Sequence, residues 1–168
     1  MQIIITDSSG LIDLKKGSLF RAMLALPYEF VIPDLLFEDE LLSLEARDKE
    51  LLLYGGLRVE SLSGEQIIRA QEYRSLHRRL SLHDNFALVL AEDTETSILL
   101  TGDSTLKTLA AERNIEVHGV LWVLDLIFEH KTAPTKVLID AVGNYLEDPF
   151  VWLPDAQLRK RLVQYQDK

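Results

Sequence analysis

Acidic residues stand beside hydroxyl-bearing ones at the borders of short apolar runs in this chain. Asp7 follows Ile3-Ile4-Ile5 and Thr6, and Asp103 closes Ile98-Leu99-Leu100-Thr101-Gly102. Glu38-Asp39-Glu40 comes after Pro33, and Asp84 ends Ser81-Leu82-His83-Asp84. Each acid has an ordinary structural role. Asp7 can bond backbone N–H groups in a turn through Ser9. Asp103 can cap a helix starting at Ser104, although Ser104 can serve as well. Asp84 fits a capping box with Ser81. The three acids at 38–40 can form a solvated helix face. Within that trio Asp39 shares a helical stripe with Leu35, Leu36 and Leu42, which makes it the candidate to point inward. Glu38 is the alternative, and Glu40 stays open as a third.

Taken together the acids imply more. Carboxylates ~4 Å apart repel by roughly 4 kcal/mol per pair at an effective dielectric of 20. A fold that gathers them needs a counter-ion, and Mg²⁺ or Mn²⁺ suits all-oxygen donors. A divalent ion lowers the pKa of a bound water and polarises a phosphoryl oxygen. Phosphodiester hydrolysis uses those two effects and requires neither cysteine nor histidine.

Composition narrows the alternatives. The chain has 0 cysteines, which removes disulfides and thiolate zinc sites. His77, His83, His118 and His130 show no metal-binding spacing. A net charge of -9 argues against passive binding to a polyanion, but not against a nucleic acid substrate bridged by divalent cations. No apolar run reaches the ~18 residues of a membrane span. The opening residues lack the basic and apolar regions of a signal peptide, so the chain is expected to be cytoplasmic, with no membrane partner.

The elements that must position the acids can be read from periodicity. Ile3 to Ile5, Phe30 to Ile32, Leu57 to Leu62, Ser97 to Thr101 and Ile115 to Val117 read as five strands. Helices are expected from Leu11 to Leu14, from Leu19 to Leu26, and from Asp34 through about Arg47. Ser8-Ser9-Gly10 reads as a break. Further helices run from Ser63 to about Arg79, from near Ser81, and from Ser104 to Arg113. Three more occupy 119–130, 134–146 and 154–164. Strands alternating with helices predict an α/β fold with a parallel sheet, whose sites form beyond the carboxyl ends of the strands at a switch point. Asp7 and Asp103 both sit just past such ends. At 168 residues the chain is expected to be one domain.

These segments resemble the PIN-domain family of metal-dependent nucleases. "IIITDSSGLIDL" resembles its opening strand, with Asp7 as the first metal-binding acid. "VIPDLLFEDELL" resembles its second motif, where Asp39 stands at a position the family more often fills with Glu. "LSLHDNFALVLAE" resembles the third, with Asp84, and "ILLTGDSTL" the fourth, with Thr101 and Asp103. The match runs over about 2–118, leaving helices over 119–168 as an extension. The resemblance implies a Rossmann-like sheet of about five parallel strands, Mg²⁺- or Mn²⁺-dependent cleavage of single-stranded RNA, and metal binding by Asp7, Asp39, Asp84 and Asp103, with Thr101 orienting Asp103. It also implies, for many small bacterial members, the toxin role of a VapBC-type toxin–antitoxin pair, held inactive by an antitoxin protein.

Other features have two readings. Arg69, Arg74, His77, Arg78 and Arg79 can follow an RNA backbone or form a solvated helix face balanced by Glu65 and Glu72. Trp122 and Trp152 can stack on bases, although Trp122 lies among core-like residues. The last three helices can dimerise or cover the sheet. Two functions compete with a ribonuclease: a catalytically weak module acting through protein partners, and a phosphatase with Asp7 as nucleophile. Ser9 stands where such phosphatases place a second acid, which counts against the latter.

Overall fold

The computed structural model describes residues 1–167. The five expected strands form one wholly parallel sheet: β1 (Gln2–Thr6), β2 (Tyr28–Pro33), β3 (Arg58–Glu60), β4 (Ile98–Leu100) and β5 (Glu116–His118). Their order across the sheet is β3-β2-β1-β4-β5. The chain builds outward from β1 through β2 to β3, then crosses back to lay β4 on the other side of β1. That reversal makes the space between the ends of β1 and β4 the switch point.

Ten helices among the described residues flank the sheet: α1 (Ser8–Lys16), α2 (Phe20–Leu24), α3 (Asp34–Asp39), α4 (Ala46–Tyr54), α5 (Gly64–Leu76), α6 (Leu82–Asp93), α7 (Ser104–Glu112), α8 (Val120–His130), α9 (Thr135–Glu147) and α10 (Asp155–Gln166). Helix α6 packs on β1, β2 and β4 and holds α5 and α7, while α1, α2, α8 and α9 pack among themselves. Because both faces are covered, the central strands are apolar throughout. Ile4, Ile5, Val31, Ile32, Leu99 and Leu100 are all buried. Helix α6 is buried from Asn85 to Ala91, so it carries little of the polar face expected of a surface helix.

Two expectations are corrected. Ser8-Ser9-Gly10 does not break the chain. It is the first turn of α1, with Asp7 as N-cap accepting from the Gly10 amide. Gly10 lets α1 start close to β4: a Cβ there would stand 3.2 Å from the Leu100 and Thr6 side chains, which would have to give by a few tenths of an ångström. The helix expected through Arg47 is two helices. Helix α3 stops at Asp39, and α4 starts anew at Ala46 with a capping box between Glu45 and Asp48. Leu41 is then buried while Leu42 is 80% exposed, so the stripe proposed for Asp39 does not continue.

Candidate active site at the switch point

The carboxyl ends of β1 and β4 are tied together by backbone and hydroxyl groups. The Asp7 amide donates to the Leu100 carbonyl at 3.1 Å and the Thr101 amide to His118 at 3.0 Å, continuing the ladders beyond the strands. The Ser9 hydroxyl donates to Asp7 Oδ1 at 2.7 Å and accepts from the Gly102 amide at 2.9 Å. The Thr101 hydroxyl donates to Asp7 Oδ2 and accepts from the Asp103 amide at 3.1 Å. Thr101 therefore holds Asp7 and the Asp103 backbone in one arrangement, and it is fully buried.

Three of the acids lie at helix starts, two as N-caps and one in a first turn. Asp7 caps α1. Asp103 caps α7 by accepting from the Leu106 amide with Oδ1 at 2.9 Å. Asp84 and Ser81 form the expected capping box, with the Ser81 amide donating to Asp84 Oδ2 at 2.8 Å. These are the ordinary roles, and they leave Asp84 near enough to Asp7 for the two charges to interact. A helix N-terminus favours negative charge, so each cap also steadies its carboxylate. Asp84 Oδ1 and Asp103 Oδ2 receive no hydrogen bond among the described residues.

Asp7 is 2% exposed. Burial pushes its carboxyl up to about 6. Hydrogen bonds from Thr101, Gly10 and Ser9 work against that rise, and the negative charge of Asp84 adds to it. Asp7 and Asp84 thus feel each other, and protein donors do not fully compensate the buried charge.

The second-motif acids divide. Glu38 and Asp39 are exposed, and Asp39 pairs with His83 Nε2 at 3.0 Å. Glu40, half-buried, accepts from the Ser8 hydroxyl at 2.8 Å, directly beside Asp7. The trio's third member is therefore the one tied to the switch point. Asp13 is a further acid that sequence reasoning did not single out. Its carboxylate lies 3.4 Å from where a Cβ on Gly102 would stand, and burial raises its pKa while Lys16 and Lys107 oppose the rise. Its spacing of four from Ser9 on α1 was the available signal. Asn85, fully buried beside Asp84, was also missed. Its amide donates to the Ser81 carbonyl, and its own Oδ1 has no partner.

Residues 3–166 match the family described as DUF3368: PIN domain. The chain belongs to the PIN-domain family. Among solved structures it is similar to a PilT N-terminus domain protein, SSO1118, from the hyperthermophilic archaeon Sulfolobus solfataricus P2. The identity is 16%, the TM-score 0.52, and the similarity covers 76% of this chain and 92% of that one. At that identity the likeness concerns the fold. No curated protein matches the chain. The α/β PIN fold is thus established, and PIN domains are generally nucleases that use divalent metals.

Whether these residues suit such an ion can be judged from their own chemistry. Among the described residues no three His, Asp or Glu side chains form a ready-made cage. Mg²⁺ does not require one, because it keeps several waters and is commonly held by one or two carboxylates with substrate phosphate completing the shell. The electrostatically coupled Asp7 and Asp84 supply two carboxylates, and a cation would relieve the burial and repulsion that raise the Asp7 pKa. The donor set fits a hard divalent ion. Among the described residues no helix is long and apolar enough to cross a membrane.

Proposed function

We propose that this PIN domain is a Mg²⁺- or Mn²⁺-dependent endoribonuclease acting on single-stranded RNA in the cytoplasm, with residues 1–168 working as one unit. The observation that carries the reading is Asp7: a buried carboxylate, pushed up to about 6, with Asp84 as its charged neighbour and no cationic side chain among the causes of its shift. Asp7, Asp84 and Asp103 are assigned as metal ligands together with one acid of the 38–40 stretch. Glu40 is the better placed through Ser8, while Asp39 and Glu38 stand further out at the rim.

When bound, the ion supplies activated water and charge neutralisation at phosphorus. The protein's own residues do the positioning. Thr101 orients Asp7 and fixes the Asp103 backbone. Ser9 locks the β1 turn to Gly102. The capping hydrogen bonds at the starts of α1, α6 and α7 hold the three carboxylates in place.

The test is cleavage of a labelled single-stranded RNA by the intact protein with Mg²⁺, Mn²⁺ or chelator. Cleavage with metal and none with chelator is expected, and Asp7→Asn and Asp103→Asn should each abolish it. Full activity of both variants would refute the assignment. The role of toxin in a toxin–antitoxin pair extends the same reading. It requires a partner protein that suppresses this cleavage, and co-expression with a neighbouring gene product tests it, as sedimentation tests for a homo-oligomer.

A second reading has a specific observation in its favour. Because no three metal-binding side chains among the described residues form a ready-made cage, the domain can instead act as a binding module through protein partners. Titration calorimetry separates the two. Absence of Mn²⁺ binding to the wild type, with binding of a partner intact, supports the module.

A further inference from the structure

The segment between α9 and α10 presents two aromatic rings to solvent beside the candidate site. Burial alternates along residues 150–154, with Val151 and Leu153 half-buried between exposed neighbours. Val151 and Leu153 pack against the core, whereas Phe150 is 77% and Trp152 92% exposed. The segment is anchored at its start, where the Phe150 amide donates to Asp148 Oδ1 at 2.8 Å and the Val151 amide to the Asp148 carbonyl at 3.2 Å. Exposing two large rings costs hydrophobic burial that the fold could have used.

These rings border a depression of about 570 Å³ whose wall includes Ser9, Asp103, Ser104 and Lys107. It therefore opens directly onto the switch point. Lys107 reaches across it. Its Nζ lies 2.7 Å from where a Cβ on Gly119 would stand, so the absence of a side chain at 119 makes room for the ammonium group. Lys107 makes no ion pair within 4 Å among the described residues. On the far side of Ser104 a second hollow of about 360 Å³ is lined by His77 and Arg79. Ser104 lines both, so aromatic, acidic and basic groups follow one another along one path over the start of α7.

We infer that this path is a single-stranded RNA track in which Trp152 and Phe150 stack an unpaired base beside Asp103, while Lys107 and, across Ser104, Arg79 contact the backbone. The inference rests on the reading of the switch point as a cleavage site and names how its substrate is held. Base stacking on an exposed ring is tolerant of sequence, and basic groups alongside it track phosphate. Asp13, in the same depression, is an acceptor for an exocyclic amino group of a base. A duplex has no free base face to offer, so the site selects single strands. Trp122 does not share this role: it is stacked on His118 at 4.2 Å and packed against the core.

The test is binding of a fluorescein-labelled 12-nucleotide RNA to the full chain in chelator and low salt, where no cleavage occurs. Wild type should bind the single strand with quenching of tryptophan emission, and the matched duplex at least tenfold more weakly. Trp152→Ala should weaken binding by about tenfold, Phe150→Ala by less, and Trp152→Phe should keep most of the affinity while losing the quench. Equal affinity of wild type and Trp152→Ala, or no binding of single-stranded RNA by wild type, overturns the inference, as does a dimer in sedimentation that Trp152→Ala abolishes with RNA binding unchanged. Cleavage that is metal-dependent and lost in Asp7→Asn, yet indifferent to Trp152→Ala, sinks the track and spares the nuclease. Stacking without any cleavage does the reverse.

Discussion

Two clusters of acids in this PIN domain are handled in opposite ways. Between α5, α6 and α7, Glu92 accepts from Arg113 and from the Tyr73 hydroxyl at 2.9 Å, and Asp93 accepts from Arg69 at 2.6 Å and Gln66 at 2.9 Å. The Arg113 guanidinium also lies 4.0 Å over the Tyr73 ring. Burial alone would raise the Asp93 pKa, but the bonds from Gln66 and Arg69 bring it below the ordinary value. At the switch point the same kind of residue is buried with hydroxyl and amide donors and a second acid, and Asp7 goes up to about 6 instead. The first cluster is electrically complete and joins helices. In the second, no cationic side chain among the described residues is bonded to Asp7, which leaves its charge to be met by an external cation.

The sharpest break of this contrast is at the incomplete cluster. Asp7→Asn or Asp84→Asn should lower metal-dependent RNA cleavage by about a thousandfold or more, equivalent to roughly 4 kcal/mol, in single-turnover assays. At the complete cluster the loss is in stability. Arg113→Met leaves Glu92 short of a cation and should destabilise the fold by about 3 kcal/mol in urea unfolding, with little effect on the intrinsic cleavage rate of the folded fraction.

A third experiment reads the sign of the difference through pH. The Asp7 carboxyl holds its proton more tightly folded, at about 6, than at its ordinary 3.8. The folded state therefore binds more protons between these values, and stability falls as pH rises through that window. Below 3.8 both states are protonated and the penalty is absent; above 6 it is complete. In chelator, Asp7→Asn should exceed wild type by about 3 kcal/mol at pH 8, with the gap closing by pH 3.5. Mg²⁺ should narrow it from the other side by stabilising wild type alone. The smallest effect separates neighbours at the rim: Glu40→Gln should slow cleavage about tenfold, or roughly 1.4 kcal/mol, and Asp39→Asn by less than about twofold, because Asp39 is engaged with His83.

The five strands were legible because β-branched and apolar runs bounded by Gly, Pro and Asp have few other readings. The helix start at Ser63 and the capping box at Ser81 were legible for the same local reason. The break between α3 and α4 was not. No glycine or proline occurs between Asp34 and Tyr54, and Leu41, Leu42 and Leu44 continue an apparently helical stripe. Only the packing of Leu41 and Leu44 into the core reveals the turn. That hidden turn also explains why Asp39 and not Glu40 stood out in the sequence. The pairing of β1 with β4 lies outside any local pattern, yet it alone brings Asp7 against Thr101.

The dual employment of Asp7, Asp84 and Asp103 has an evolutionary corollary. Asp7 and Asp103 are N-caps and Asp84 completes the capping box of Ser81, and replacing a capping residue with alanine costs about 1 kcal/mol whether or not chemistry follows. A descendant that had lost all hydrolytic power would still be selected to keep them for folding. The mere presence of this acidic triad in a homologue is therefore weak testimony of activity. At 7 and 103, asparagine, which caps a helix as well as aspartate does, is the substitution that would mark a lineage turned from cutting to holding.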